Sequence, residues 1–142
     1  MRYATIAAAV AIASILPGCS ETKVDNCWSP STKLQATTLI RRAVLEYIDR
    51  IAKTEGPLTD AVKKEIDQRT SVELSDFYVV SKDEAVGHLS CGAQVQFSYL
   101  RPDQKTISGD STLQFEIYKA ESGSEYSIPT APVAQMVDAA NQ

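Results

Sequence analysis

The chain has 142 residues, 44% of them hydrophobic and 23% charged, with 14 basic against 18 acidic side chains and a formal charge of -4. That length supports one domain with a modest core and not two. A mildly acidic chain with no basic run argues against nucleic acid as a partner.

The N-terminal segment is read as an address. Met1-Arg2 is followed by an almost unbroken apolar run from Ala4 to Leu16, and the run ends at Leu16-Pro17-Gly18-Cys19. One cation and about 13 apolar residues make a secretory signal, too short for a stable membrane-spanning helix. No small-x-small pair stands at the right end of the run for ordinary cleavage. Leu16, Gly18 and Cys19 resemble the lipobox of bacterial lipoproteins, although Pro17 replaces the small or β-branched residue usual there. The resemblance implies cleavage before Cys19, thioether lipidation of its sulfur and acylation of the new amino terminus. Ser20, where aspartate retains lipoproteins of enterobacterial type in the inner membrane, points to the outer membrane and a domain facing the periplasm. Cleavage leaves 124 residues with a side-chain charge of -5. Membrane contact is expected through the lipid alone.

Three cysteines are an awkward number for an exported protein. Setting Cys19 aside leaves Cys27 and Cys91, which should form a disulfide in an oxidising compartment. The loop is long enough for about 4 kcal/mol of stabilisation by the chain-entropy estimate. The close Cys-x-x-Cys spacing of a dithiol redox centre is absent, and two lone cysteines make a poor metal site.

A polar tether from residue 19 to residue 28 ends at Cys27 and Trp28, the only tryptophan, which is expected to cover the disulfide or, alternatively, to stack on a ligand. Ser29-Pro30 then reads as a helix cap followed by proline at the first helical position. Ala36, Leu39, Ile40, Ala43, Val44, Tyr47, Ile48 and Ile51 recur at three- and four-residue spacing until Gly56 ends the run. The other face carries Arg41, Arg42, Glu46, Asp49 and Arg50 as a solvated, ion-paired surface. A shorter helix is expected from Pro57 to Arg69, with Thr59 as cap and Leu58, Val62 and Ile66 as its apolar line.

At Thr70 the period changes to two. Val72 and Leu74 share one parity while Phe77 and Val79 share the other, so Ser75-Asp76 should mark a bulge. The central strand is Leu89–Tyr99, with Cys91, Ala93, Val95, Phe97 and Tyr99 on a dry face and Gly92, Gln94, Gln96 and Ser98 opposite. A third strand carries Leu113, Phe115 and Ile117, a turn is expected at Glu121–Ser124, and a last strand runs from Glu125 to Ile128. Residues 129–142 read as a tail whose small side chains suggest one or two fraying helical turns. The expectation is an α+β domain over residues 29–128: a long helix and a shorter one packed on an antiparallel sheet of three to four strands.

Cys27 before a long helix, Ser90-Cys91-Gly-Ala93 at the head of a central strand, and the hairpin after it resemble small bacterial lipoproteins with a cystatin-like or nuclear-transport-factor-like layout. That layout hosts many binding and accessory roles and implies no particular ligand.

No zinc-ligand spacing, glycine-rich phosphate loop or serine elbow occurs, and the single histidine, His88, stands beside a turn. No enzyme activity, cofactor or metal is expected. Recognition of a periplasmic protein or envelope component is assigned to the concave sheet face and the loops at its open end. Ser122-Gly123-Ser-Glu-Tyr126 is similar to the Ser-Gly-x-x-Tyr signature of periplasmic lysozyme inhibitors. It implies, as an alternative, an inhibitor or immunity-type protein directed at a cell-wall hydrolase, with Ser122 and Tyr126 as contacts.

Overall fold

In the computed structural model, which describes residues 26–142, Ser29 caps the first helix with its hydroxyl, accepting from the Thr32 amide at 3.2 Å. The signal, Cys19 and most of the tether lie outside the described residues. Helix α1 runs Pro30–Ala52, and its buried line, Thr32, Ala36, Ile40, Val44 and Ile48, steps by four residues along one face. A single 3-10 turn at Lys53–Glu55 carries the chain to Gly56, whose φ of 151° suits a residue without a side chain. Helix α2, Asp60–Gln68, starts where Thr59 accepts from the Val62 amide at 3.3 Å, later than the expected Pro57. Pro57 and Leu58 form the approach instead.

Four strands follow: β1 Thr70–Asp83, β2 His88–Leu100, β3 Thr106–Ala120 and β4 Gly123–Ser127. They pair antiparallel in sequence order, a simple meander. Cys91, Ala93, Val95 and Phe97 of β2 are buried on one face, as the alternation requires. Their register partners on β3, Phe115, Leu113, Ser111 and Gly109, share that face. In β1 the register shifts between Ser75 and Tyr78, and Asp76 takes a φ of 50°, which places the bulge where the parity of the apolar residues changes. The shift keeps Phe77 on the helix side, edge-on to Phe115 with ring centroids 6.3 Å apart. Strand β3 extends back from Leu113 to Thr106, so Ser108–Asp110, whose polar composition reads as a connection, are part of the ladder.

The C-terminal segment departs from the expected fraying tail. Thr130–Ala140 form helix α3, and Val133, Met136 and Val137 are buried in the main core with Ile40, Val44, Val95 and Phe97. Alanines on its outer side dilute the apolar signal, but the buried three keep helical spacing. Gly109 permits the docking: a Cβ there would lie 2.8 Å from the Phe97 ring and 3.2 Å from the Met136 carbonyl oxygen. From α1, the Tyr47 hydroxyl donates to Asp138 of α3 at 2.7 Å. The result is an α+β layer, with α1 and α3 on one face of the four-stranded sheet.

Cys27 and Cys91 are joined, and both are fully buried beside Ala36, Leu89, Phe115 and Ile117. The bond fixes the start of α1 to β2. Trp28 does not cover it: the indole is 53% exposed, and Ala36, Phe115 and their neighbours close the space.

Candidate functional site

Pairing and helix direction give the molecule two poles. The start of α1, the β1–β2 turn at residues 84–87 and the β3–β4 turn at residues 121–122 lie together, since Gly87 accepts from the Lys119 amide and Cys27 is bonded to Cys91. The end of α1, helix α2, the β2–β3 loop and the end of α3 meet at the opposite pole. There they enclose a cleft of about 340 Å³ lined by Ile51, Leu58, Val62, Ile66, Tyr99 and Ile107 among others. A few hundred cubic ångströms is the scale of small-ligand pockets and of holes that receive a partner's side chain.

Helix periodicity builds this cleft from both ends. Ile48 and Ile51 close the α1 stripe, Val62 and Ile66 belong to the apolar line of α2, and Tyr99 is the last dry-face residue of β2. Their contacts run out where the chain turns, so the apolar layer ends in an open mouth. Two arginines stand at the rim. Arg69 pairs with Glu65 at 2.7 Å and donates to the Arg101 carbonyl at 3.2 Å, and Arg101 lies 3.6 Å from Asp103. Burial pushes the Tyr99 phenol above its usual pKa, opposed by the attraction of Arg69. The site therefore offers an apolar floor with a mixed-charge rim: shape and hydrophobic contact at the base, hydrogen-bond donors at the edge.

Arg41 does not present its guanidinium as a free cation. It donates to the Asp67 and Thr70 carbonyls, each at 2.8 Å, and pairs with the Asp67 carboxylate, closing the C-terminal end of α2 against α1. The pattern of exposed charges in the sequence carries no signal of this, because the two carbonyls and the carboxylate that Arg41 meets lie 26 and 29 positions away.

The face of the sheet away from the helices is polar. Glu73, Gln96 and Asp110 form one row across β1, β2 and β3, flanked by Ser71, Ser98 and Ser108, around a shallow trough. Farther along, Glu116 receives a hydrogen bond from the Ser90 hydroxyl at 2.9 Å and contacts His88 through its other oxygen, while Tyr118 stacks on the imidazole. The carboxylate stands between hydroxyl and imidazole, so His88 does not reach Ser90 to activate it. Among the described residues, no group of three or more histidine, cysteine or acidic side chains is arranged to hold a metal.

The expected binding residues lie at the pole opposite the cleft. Ser122 is exposed at the β3–β4 turn, whereas Tyr126 is half-buried opposite Ile117 and packs against the cluster around the disulfide. Trp28 lies at that same pole, at the start of α1. None of the three lines the cleft. The expected recognition surface is met only in part: α1 and α3 cover the dry face of the sheet, while loops at one end do line the cleft together with Val137 of α3 and its C-cap Asn141.

No family model matches this sequence, and no curated protein or solved structure shows significant similarity to it.

Proposed function

We propose that the protein is a non-catalytic binding or accessory module of the bacterial cell envelope. Acyl chains on Cys19 hold it at the periplasmic face of the outer membrane, and the cleft at its far pole receives a protein or another envelope component. The observation that carries this reading is that Cys27, to which the tether leads, lies at the pole opposite the cleft. The tether arrives at Cys27, beside the start of α1, and the 23 residues of that helix set the cleft about 34 Å away from it. A recognition surface at that distance projects away from the membrane that holds the chain. The apolar floor and arginine rim suit an amphipathic element with one apolar anchor and a polar or acidic edge.

The alternative of a hydrolase inhibitor draws on the exposed Ser122 turn. It asks for a free Tyr126, and that ring is engaged in packing beside Ile117 and Ile128. It also places the contact loop at the anchored pole.

The test compares retention from solubilised envelopes by the full chain, by Val62→Arg at the cleft rim and by Gln96→Arg on the polar face. A component retained by the first and third and lost with Val62→Arg supports the reading. Retention indifferent to Val62→Arg removes the cleft from recognition. Lysozyme inhibition abolished by Ser122→Ala would replace the proposal with the inhibitor function.

A further inference from the structure

The apolar side chains left in solvent are unevenly placed. Of the nine large apolar residues exposed among the described residues, only Val62 and Leu100 lie toward the cleft pole. The others lie in the half that carries Cys27. Trp28 and Leu34, 53% and 66% exposed, stand on the first turns of α1; Val79 and Val80 stand on the outer strand β1; Val86, 68% exposed, tips the β1–β2 turn. Covalent and ladder geometry bring them together. Cys27 and Cys91 have Cα atoms 5.6 Å apart, Cys91 is the register partner of Val79, and the turn holding Val86 begins about 10 Å farther along β2. Lys33, next to Leu34, lies over the Phe77 ring of β1 at 5.4 Å, so the helix start and the strand edge form one corner.

Scattered apolar residues on a surface need no partner, whereas apolar residues gathered at one pole mark a candidate contact surface. What lies nearest that pole is set by the length of chain leading to it. From Cys19 to Cys27 there are eight residue steps, at most about 28 Å fully extended. With Cys19 lipidated, the reading on which this inference rests, the Trp28 corner is confined next to the lipid headgroups at high effective concentration. An indole beside branched apolar side chains matches the boundary between headgroups and acyl chains, where aromatic rings with a polar edge are favoured.

We propose that this corner is a second membrane contact: Trp28, Leu34, Val79, Val80 and Val86 seat in the lipid surface and hold the domain upright, with the cleft pointing outward. The two turns at this pole and the strand ends beside them carry Glu84, Glu121 and Asp83 as well as Lys82 and Lys119. Attraction to anionic lipid therefore does not drive the contact. It is apolar, insensitive to salt and satisfied by zwitterionic lipid.

Trp28 is the only tryptophan and serves as the probe. The full chain, purified with its lipid from membranes, is reconstituted into phosphatidylethanolamine–phosphatidylcholine vesicles with and without lipids brominated near the headgroup end of the acyl chain. Brominated lipid should lower Trp28 emission at least twofold, equally in 50 mM and 500 mM salt. In a Trp28→Phe background, Val86→Trp should be quenched similarly and Val62→Trp, at the cleft pole, should not. Quenching of Trp28 without Val86→Trp would mean that only the tether end touches lipid and would overturn the seating. Equal quenching at Val62→Trp would overturn the upright orientation. Absence of quenching together with cross-linked dimers would give the corner to a second copy instead. Mass measurement of the purified chain separates this inference from its premise: an unlipidated Cys19 refutes the anchor, whereas lipidated protein without quenching refutes the contact alone.

Discussion

Opening the Cys27–Cys91 bond should cost the domain about 4 kcal/mol, most of it through the unfolded chain. The two cysteines are 64 residues apart. Closing a loop of that length removes about 14 cal/mol/K from the unfolded ensemble, or about 4 kcal/mol at room temperature. Two perturbations separate the contributions. Reduction keeps both sulfur atoms in place and reports the loop constraint, while a Cys27→Ala, Cys91→Ala variant also empties fully buried volume beside Ala36 and Phe115 and should cost about 1 kcal/mol more. The assay is equilibrium urea unfolding of a chain carrying Cys19→Ser, so that no third thiol competes. With a slope near 1.5 kcal/mol/M, the midpoint should fall by roughly 3 M on reduction, and the slope should rise because the freed chain exposes more surface. Coincident curves with and without reductant would show that the loop is already closed by residual structure in the unfolded chain, and the reasoning would fail.

Phe97→Asp should prevent folding by burying an unpaired charge. Its neighbour Gln96→Lys, set between Glu73 and Asp110 on the polar face, should hold or gain about 0.5 kcal/mol; thermal melts of the two report the difference. Gly109→Val should cost at least about 1–3 kcal/mol by pushing α3 off the sheet, read as a lowered urea midpoint and faster amide exchange in Val133–Val137. Stability should also decline at alkaline pH. The hydrogen bond to Asp138 raises the pKa of Tyr47, and burial raises that of Tyr99. Both phenols favour the neutral form in the fold, so their contribution is complete below about pH 10 and is lost as pH rises through the folded-state values. Tyr99→Phe should flatten that decline above about pH 10, and an unchanged profile would contradict the assignment.

Features governed by local period were legible in the sequence. The four-residue stripe of α1, the alternation of β2 and the parity change at Ser75-Asp76 each became the expected element, and the cysteine count predicted the bond that joins helix to sheet. What escaped depends on contacts distant in sequence. Helix α3 looked marginal because Ala131, Ala134, Ala139 and Ala140 thin its apolar character, yet Val133, Met136 and Val137 form a stripe that Gly109 allows close to the sheet. Adjacency to Cys27 puts Trp28 over the disulfide in the sequence reading, whereas in the fold Ala36, Leu89 and Phe115 already surround the sulfur atoms. The cleft arises where four chain segments fail to meet, and no single segment announces such a place.

The order of the elements has a consequence for how the domain is made. A meander lets each strand find its neighbour across a short turn, so the sheet can form from contacts close in sequence. The helical side cannot. Helix α1 is made first, but Val95 and Phe97 of β2 follow its Ile40 and Val44 by about 50 residues, and the α3 side chains that close the same core come within the last ten positions. Until α3 docks, the part of the α1 stripe that meets Val133, Met136 and Val137 is left uncovered. A chain whose α3 is removed should therefore expose the apolar stripe of α1 and be cleaved more readily by proteases.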